Sequence, residues 1–130
     1  MDNITIAGTE RSPEIIFDFG ANKFSMRGMS YLENAAKFFD PLLEKLQAHL
    51  DAQDDAWIDF EFELTYFNSS SARVLLRLFN LLDEIAEKGN KVTLNWIFEA
   101  EDDNLEELGE ELGEDLEHAE LVMRPIDEDD

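Results

Sequence analysis

The clearest order in this chain is an alternation. From Ala56 to Phe67, Ile58, Phe60, Phe62, Leu64 and Tyr66 fall on one side, and Trp57, Asp59, Glu61, Glu63, Thr65 and Phe67 on the other. A period of two is that of a β-strand. The middle of the second side is acidic, which predicts a sheet face left in water and helices packed against the opposite face only. After Ser71 the period lengthens. Val74, Leu75, Leu78, Leu82 and Ile85 recur at helical spacing within Ala72 to Lys88, and Gly89-Asn90 supplies a stop. Alternation returns from Lys91 to Phe98, where Val92, Leu94, Trp96 and Phe98 share a side.

The flanks are weaker versions of the same grammar. Ile4-Thr5-Ile6 is a short alternating piece, and Glu14 to Phe19 reads as a strand. Gly20-Ala21-Asn22 is a turn, and Lys23 to Arg27 alternates Phe24 and Met26 with polar neighbours, so the two runs form a hairpin. Ser30 to Asp51 is helical, with Tyr31, Ala35, Phe38, Phe39, Leu42, Leu43, Leu46 and Leu50 near a 3.6 period. Pro41 interrupts it, either as a kink or as the first turn of a second helix capped by Asp40. Asn104 to Glu111 is an acidic helix that Gly109 and Gly113 weaken. Leu121 to Ile126 is an edge strand, with Pro125 limiting its pairing.

Strand, helix and strand from residue 56 to 98 require a parallel pair joined by a right-handed crossover, while the hairpin adds antiparallel strands. The expected fold class is therefore α/β, one domain over residues 1–126 with a mixed sheet and helices mainly on one face. Residues 127–130 make an acidic tail.

Composition narrows the function classes. The 130 residues carry 32 acids against 10 bases, a net charge of −22, which repels nucleic acid and anionic membranes and favours basic partner surfaces. Half of the acids lie in the stretch from residue 99 to 130, yet Leu105, Leu108 and Leu112 argue that it stays attached to the fold. There is no cysteine, so disulfides and thiolate metal sites are excluded. No basic segment followed by an apolar run opens the chain, and no apolar stretch approaches a bilayer span. A bacterial cytoplasmic location is the expectation.

Candidate chemistry concentrates at Asn68-Ser69-Ser70-Ser71, where a strand hands over to a helix. A helix N-terminus carries unpaired N–H groups and about half a unit of positive charge, so a phosphate on a serine there is locally stabilised. The bland reading is capping, for which Asn and Ser are both favoured. Against it, three consecutive hydroxyls exceed what one cap requires, and no Glu or Gln completes a capping box. Serine hydrolysis needs a base and an oxyanion hole. The Gly-x-Ser-x-Gly pattern is absent, and His49 and His118 read as surface histidines. The acids at 101–103 and 110–111 do not follow the calcium-loop pattern, and paired carboxylates for glycoside hydrolysis are unspecific in so acidic a chain. The glycines form no nucleotide fingerprint, so neither a cofactor nor a metal is expected.

Four stretches together resemble one family. Tyr66-Phe67-Asn68-Ser69-Ser70-Ser71 is similar to the strand-to-helix site of the SiaC family of bacterial regulatory phosphoproteins, related in fold to the SpoIIAA-like (STAS-like) anti-sigma-factor antagonists. Ile6-Ala7-Gly8-Thr9 with Ser12-Pro13-Glu14-Ile15 resembles its N-terminal segment, Ser25 to Asn34 its hairpin-to-helix motif, and Val92 to Trp96 its later strand. The resemblance implies a non-enzymatic switch phosphorylated on the hydroxyl after the motif's Asn, here Ser69, where the family often has threonine. Leu32 stands where the family often has proline. It further implies a cognate protein kinase, a metal-dependent phosphatase and a target such as a diguanylate cyclase. The partner-binding surface is expected to include Asn68, Ser70, Ser71 and Arg73, with Ser30, Tyr31, Glu33 and Asn34. Two rival readings are a small acidic hydrolase or metal-dependent enzyme, and a constitutive adaptor in which Ser69 only caps the helix.

Overall fold

The computed structural model describes residues 2–127, so the expected tail lies outside them apart from Asp127. Six strands form one sheet in sequence order: β1 (Ile4–Ile6), β2 (Glu14–Asp18), β3 (Lys23–Ser30), β4 (Trp57–Phe67), β5 (Lys91–Glu99) and β6 (Glu120–Ile126). The first three pair antiparallel and the last four parallel, giving the expected mixed sheet. Helices α1 (Ala35–Asp51), α2 (Ser69–Glu87) and α3 (Asp103–Leu112) connect the parallel strands. Three successive crossovers of one hand, advancing in one direction along the sheet, place all three helices on the same face.

Between that face and the helices lies an aromatic core. Phe17, Phe24, Phe60, Phe62 and Trp96 line up across four strands, with the Phe60 and Phe62 rings stacked at 4.5 Å. Asp59 and Glu61 stay exposed on the open face, as their alternation requires.

Several boundaries move for identifiable reasons. Helix α1 begins at Ala35, not Ser30, because β3 continues to Ser30 in register with Phe67 and Asn34 then caps the helix through the Lys37 N–H. Pro41 sits inside one continuous helix on its exposed side, where the carbonyl it leaves unpaired can reach water. Helix α2 begins at Ser69, three residues before the hydrophobic pattern, because Asn68 caps it. Pairing between β3 and β4 shifts at Gly28, which faces Leu64 while Met29 faces Tyr66, so Thr65 has no residue opposite. This bulge reverses the sides of the last two residues. Tyr66, on the apolar side by alternation, is exposed, and Phe67, on the side whose middle is acidic, is buried.

Gly109 lowers the intrinsic stability of α3 but is required by its seat. A Cβ there would come within 2.5 Å of the buried Trp96 indole, whose Nε1 donates to the Leu105 carbonyl at 2.9 Å. Asp83 of α2 holds the approach to β6 by accepting the N–H groups of Glu117, His118 and Ala119. Partial burial opposes its ionisation, but those three bonds and His118 outweigh burial and hold its carboxyl below the ordinary value.

At the opposite edge, His49 packs against Phe19 and Phe24 and contacts Asn22 Oδ1 through Nε2 at 2.7 Å. Burial holds its imidazole below the ordinary value of 6.5.

Gly109→Ala should destabilise the protein by about 1–3 kcal/mol, overpacking at Trp96 outweighing alanine's better helix propensity of about 1 kcal/mol; urea denaturation measures the difference. His49 binds a proton more readily unfolded than folded, so its contribution is complete above pH 6.5 and is lost as the pH falls through the depressed folded value. Unfolding free energies taken from about pH 7.5 to about pH 5.5 should therefore decline in the wild type and decline less in His49→Gln.

Candidate functional site

Strands β3 and β4 run parallel and end together, so the segments beyond them emerge side by side at one edge of the sheet. Ser30 and Phe67 are the last paired residues, and the Asn68 N–H adds one more rung by donating to the Ser30 carbonyl at 3.1 Å. From there Asn68 serves two segments. Its Oδ1 accepts the Ser71 N–H at 2.9 Å, which caps α2, and its Nδ2 donates to the Leu32 carbonyl at 2.9 Å.

The serines divide by direction. Ser70 Oγ accepts the Ala35 N–H at 3.0 Å and so satisfies the first residue of α1. Ser71 Oγ donates to the Ser30 carbonyl at 3.1 Å and lies 2.6 Å from Ser30 Oγ. With its single proton committed to the carbonyl, Ser71 must accept that of Ser30. Both residues are 1% exposed. This corrects the expectation that Ser30 and Ser71 form partner surface: their hydroxyls satisfy each other inside the protein. Ser69 alone is exposed, and among the described residues no side-chain hydrogen bond engages it.

Ser69 faces an open depression of about 610 Å³ lined by Arg11, Tyr31, Glu33 and Tyr66, with Leu32, Asn68 and Ser70 completing it. The Tyr31 and Tyr66 rings lie 5.8 Å apart, and both residues are exposed, Tyr66 because of the β4 bulge. Arg73 is exposed one turn beyond Ser69, on the same side of α2. Glu33 and Asn34 are exposed as well, Asn34 already engaged as the α1 cap.

Arg11 is a residue of the site that sequence reasoning missed. It is held in a turn where Thr9 Oγ1 accepts the Arg11 and Ser12 N–H groups, and its carbonyl accepts the Tyr31 N–H at 2.7 Å. The available signal was the Thr9 and Ser12 pattern that flanks it.

Neither histidine lines the depression: His49 contacts Asn22, and His118 follows α3 beside Asp83. Among the described residues, no group of three His, Asp or Glu side chains gathers closely enough to hold a metal ion, and no helix is long and apolar enough to cross a membrane. Chemically, the site offers one free serine hydroxyl on the first turn of a helix, two tyrosines and Arg11 in the lining beside it, and Arg73 one turn along α2.

Comparison with known proteins gives consistent matches. The family model described as SiaC family regulatory phosphoprotein matches residues 6–126. An uncharacterized protein of Pseudomonas aeruginosa strain UCBPP-PA14 is 31% identical over 115 residues, covering 88% of this chain and 90% of the relative. The crystal structure of apo-SiaC from Pseudomonas aeruginosa superposes with a TM-score of 0.86 at 29% identity, covering 95% of this chain and 99% of that one. SiaC bound to the diguanylate cyclase SiaD, of which it is the activator, superposes with a TM-score of 0.87 at 28% identity, again over 95% and 99% of the two chains. Matched along nearly its whole length in both sequence and fold, this chain belongs to the SiaC family of regulatory phosphoproteins.

Proposed function

We propose that this protein is a non-enzymatic cytoplasmic switch whose phosphoacceptor is Ser69, and whose unphosphorylated form docks on a diguanylate cyclase through the depression beside that residue. One observation carries the reading. Of the four residues in the Asn68–Ser71 motif, three have side chains bonded inward, and Ser69 is left exposed and unengaged. Asn68 performs the capping, so the Ser69 hydroxyl is not needed for the helix. A cyclase target follows from the related SiaC, which is bound to one as its activator. The kinase that modifies Ser69 and the metal-dependent phosphatase that restores it are the enzymes such a cycle requires.

The blocking mechanism is local. A phosphoryl group adds about −1.5 to −2 charges, little beside a net −22. At the contact surface, however, a partner that covers Tyr31, Tyr66 and a neutral hydroxyl would have to desolvate a dianion. An uncompensated buried charge costs several kcal/mol, which is orders of magnitude in affinity. The fold tolerates the group, because the first turn of α2 favours an anion. Serine hydrolysis finds less support, since no imidazole lines the depression.

Incubation with the cognate kinase and ATP should place one phosphate on Ser69, located by mass spectrometry, and Ser69→Ala should abolish the label; labelling that persists in that variant refutes the assignment. Ser69→Asp should weaken cyclase binding by about tenfold or more while shifting the melting temperature by only about 2 °C or less. Calorimetry of binding and thermal scans measure the two effects separately.

A further inference from the structure

In a chain with three times as many acids as bases, an arginine without a carboxylate partner is open to a new anion. Of the five arginines, Arg27, Arg77 and Arg124 each lie within 4.0 Å of an acid: Glu63, Asp40 and Glu61. Among the described residues, Arg11 and Arg73 have none within that distance. These same two arginines flank Ser69. Arg73 is four residues along α2, so its Cβ lies about 5–6 Å from that of Ser69. Arg11 lines the depression from the segment between β1 and β2, where its backbone is pinned to Tyr31. Among the described residues, Glu33 is the only acid in the lining, and it approaches neither guanidinium within ion-pair distance.

We infer that Arg11 and Arg73 are the receptor for a phosphate monoester on Ser69, Arg11 reaching it from the depression and Arg73 from one turn along α2, through guanidinium N–H donors. The inference rests on the reading of Ser69 as phosphoacceptor and states what the modified residue does. A guanidinium fork matches phosphate oxygens in charge and geometry, and an arginine left unpaired in so acidic a protein gives up no existing ion pair when it turns to the phosphate. The modified protein is then closed at this site in two senses. The bound phosphate lies beside Tyr31 and Tyr66, where a partner would have to pack. These two cations are no longer available to a partner's carboxylates.

The experiment uses full-length protein carrying phosphoserine at position 69, installed during translation so that no kinase is involved. Phosphorus NMR follows its second ionisation, ordinarily near pKa ~6. The other titratable groups facing it, Glu33, Tyr31 and Tyr66, are unchanged in every variant. In the otherwise wild-type protein the midpoint should lie lower by roughly 0.5 unit or more. Arg11→Gln and Arg73→Gln should each move it back up, and the double variant should move it furthest, leaving only the lowering that the end of α2 supplies. Lys45→Gln, which removes an exposed cation of α1 outside the depression, should leave it unmoved. An unshifted midpoint in the wild type overturns the inference. So does a midpoint that the double variant leaves as low as in the wild type, which would assign the effect to the helix end alone. Because both arginines are exposed, the variants should retain the wild-type circular dichroism spectrum. Failure of the kinase to label Ser69 would refute the phosphoacceptor reading but would not alter this titration, so the two failures are distinguishable.

Discussion

The structure around the site depends on the hydrogen-bond connection that Asn68, Ser70 and Ser71 make to the segment from Ser30 to Ala35. Parallel strands bring two chain ends to one edge of a sheet but leave the course of the chain beyond them open. Here Asn68 Nδ2 to Leu32, Ala35 N–H to Ser70, and the Ser30–Ser71 pair fix that course. Each such bond contributes only about 0.5–1.5 kcal/mol net, but a buried donor or acceptor left without its partner costs about 1–3 kcal/mol. Among the described residues, no buried side-chain polar atom lacks a partner. Both helix N-termini and the intervening loop are thereby set as one unit, and the outward direction of Ser69 is what remains once the other three side chains are committed.

A second constraint comes from the sheet. The unmatched Thr65 turns Tyr66 out and Phe67 in, so β4 ends with an aromatic ring on the surface beside Tyr31 and another under the site against Trp96. Without the bulge, Tyr66 would belong to the core and the depression would lose one wall. Local geometry of this kind lets the protein keep a continuous core and still expose apolar surface beside Ser69.

Charge works at two scales. The open sheet face bears Asp59, Glu61 and Glu63, with exposed Arg27 and Arg124 pairing two of them, arrangements that contribute little to stability. The overall −22 sets solubility and the class of long-range partners. A switch cannot be read from that total, which one phosphate barely changes. The local arrangement is of a different kind: among the described residues, Arg11 and Arg73, near the Ser69 hydroxyl, have no acid within 4.0 Å.

Much of the fold was legible because the signals are local. Alternation located β4 and β5, helical periodicity located α2, the order of elements required parallel strands, and the acidic side of β4 put the helices on one face. The limits of that reading are also physical. Ser30 reads as the start of a helix, and only its pairing with Phe67 makes it the end of a strand. Gly109 lowers helix propensity in any sequence, and only the nearness of Trp96 explains it. The motif at 68–71 was visible as a run of one amide and three hydroxyls, and its resemblance to a family pointed to Ser69. Which serines face inward was not visible, because their partners lie 35 to 41 residues earlier in the chain. Arg11 is farther still from Ser69 in sequence, and only the sheet brings it near. The sequence by itself determined the periods, the charge and the chemical kinds present at the strand-to-helix junction. Tertiary structure alone decided which hydroxyl is free and which cations stand beside it, because those properties belong to segments that meet only when the sheet has formed.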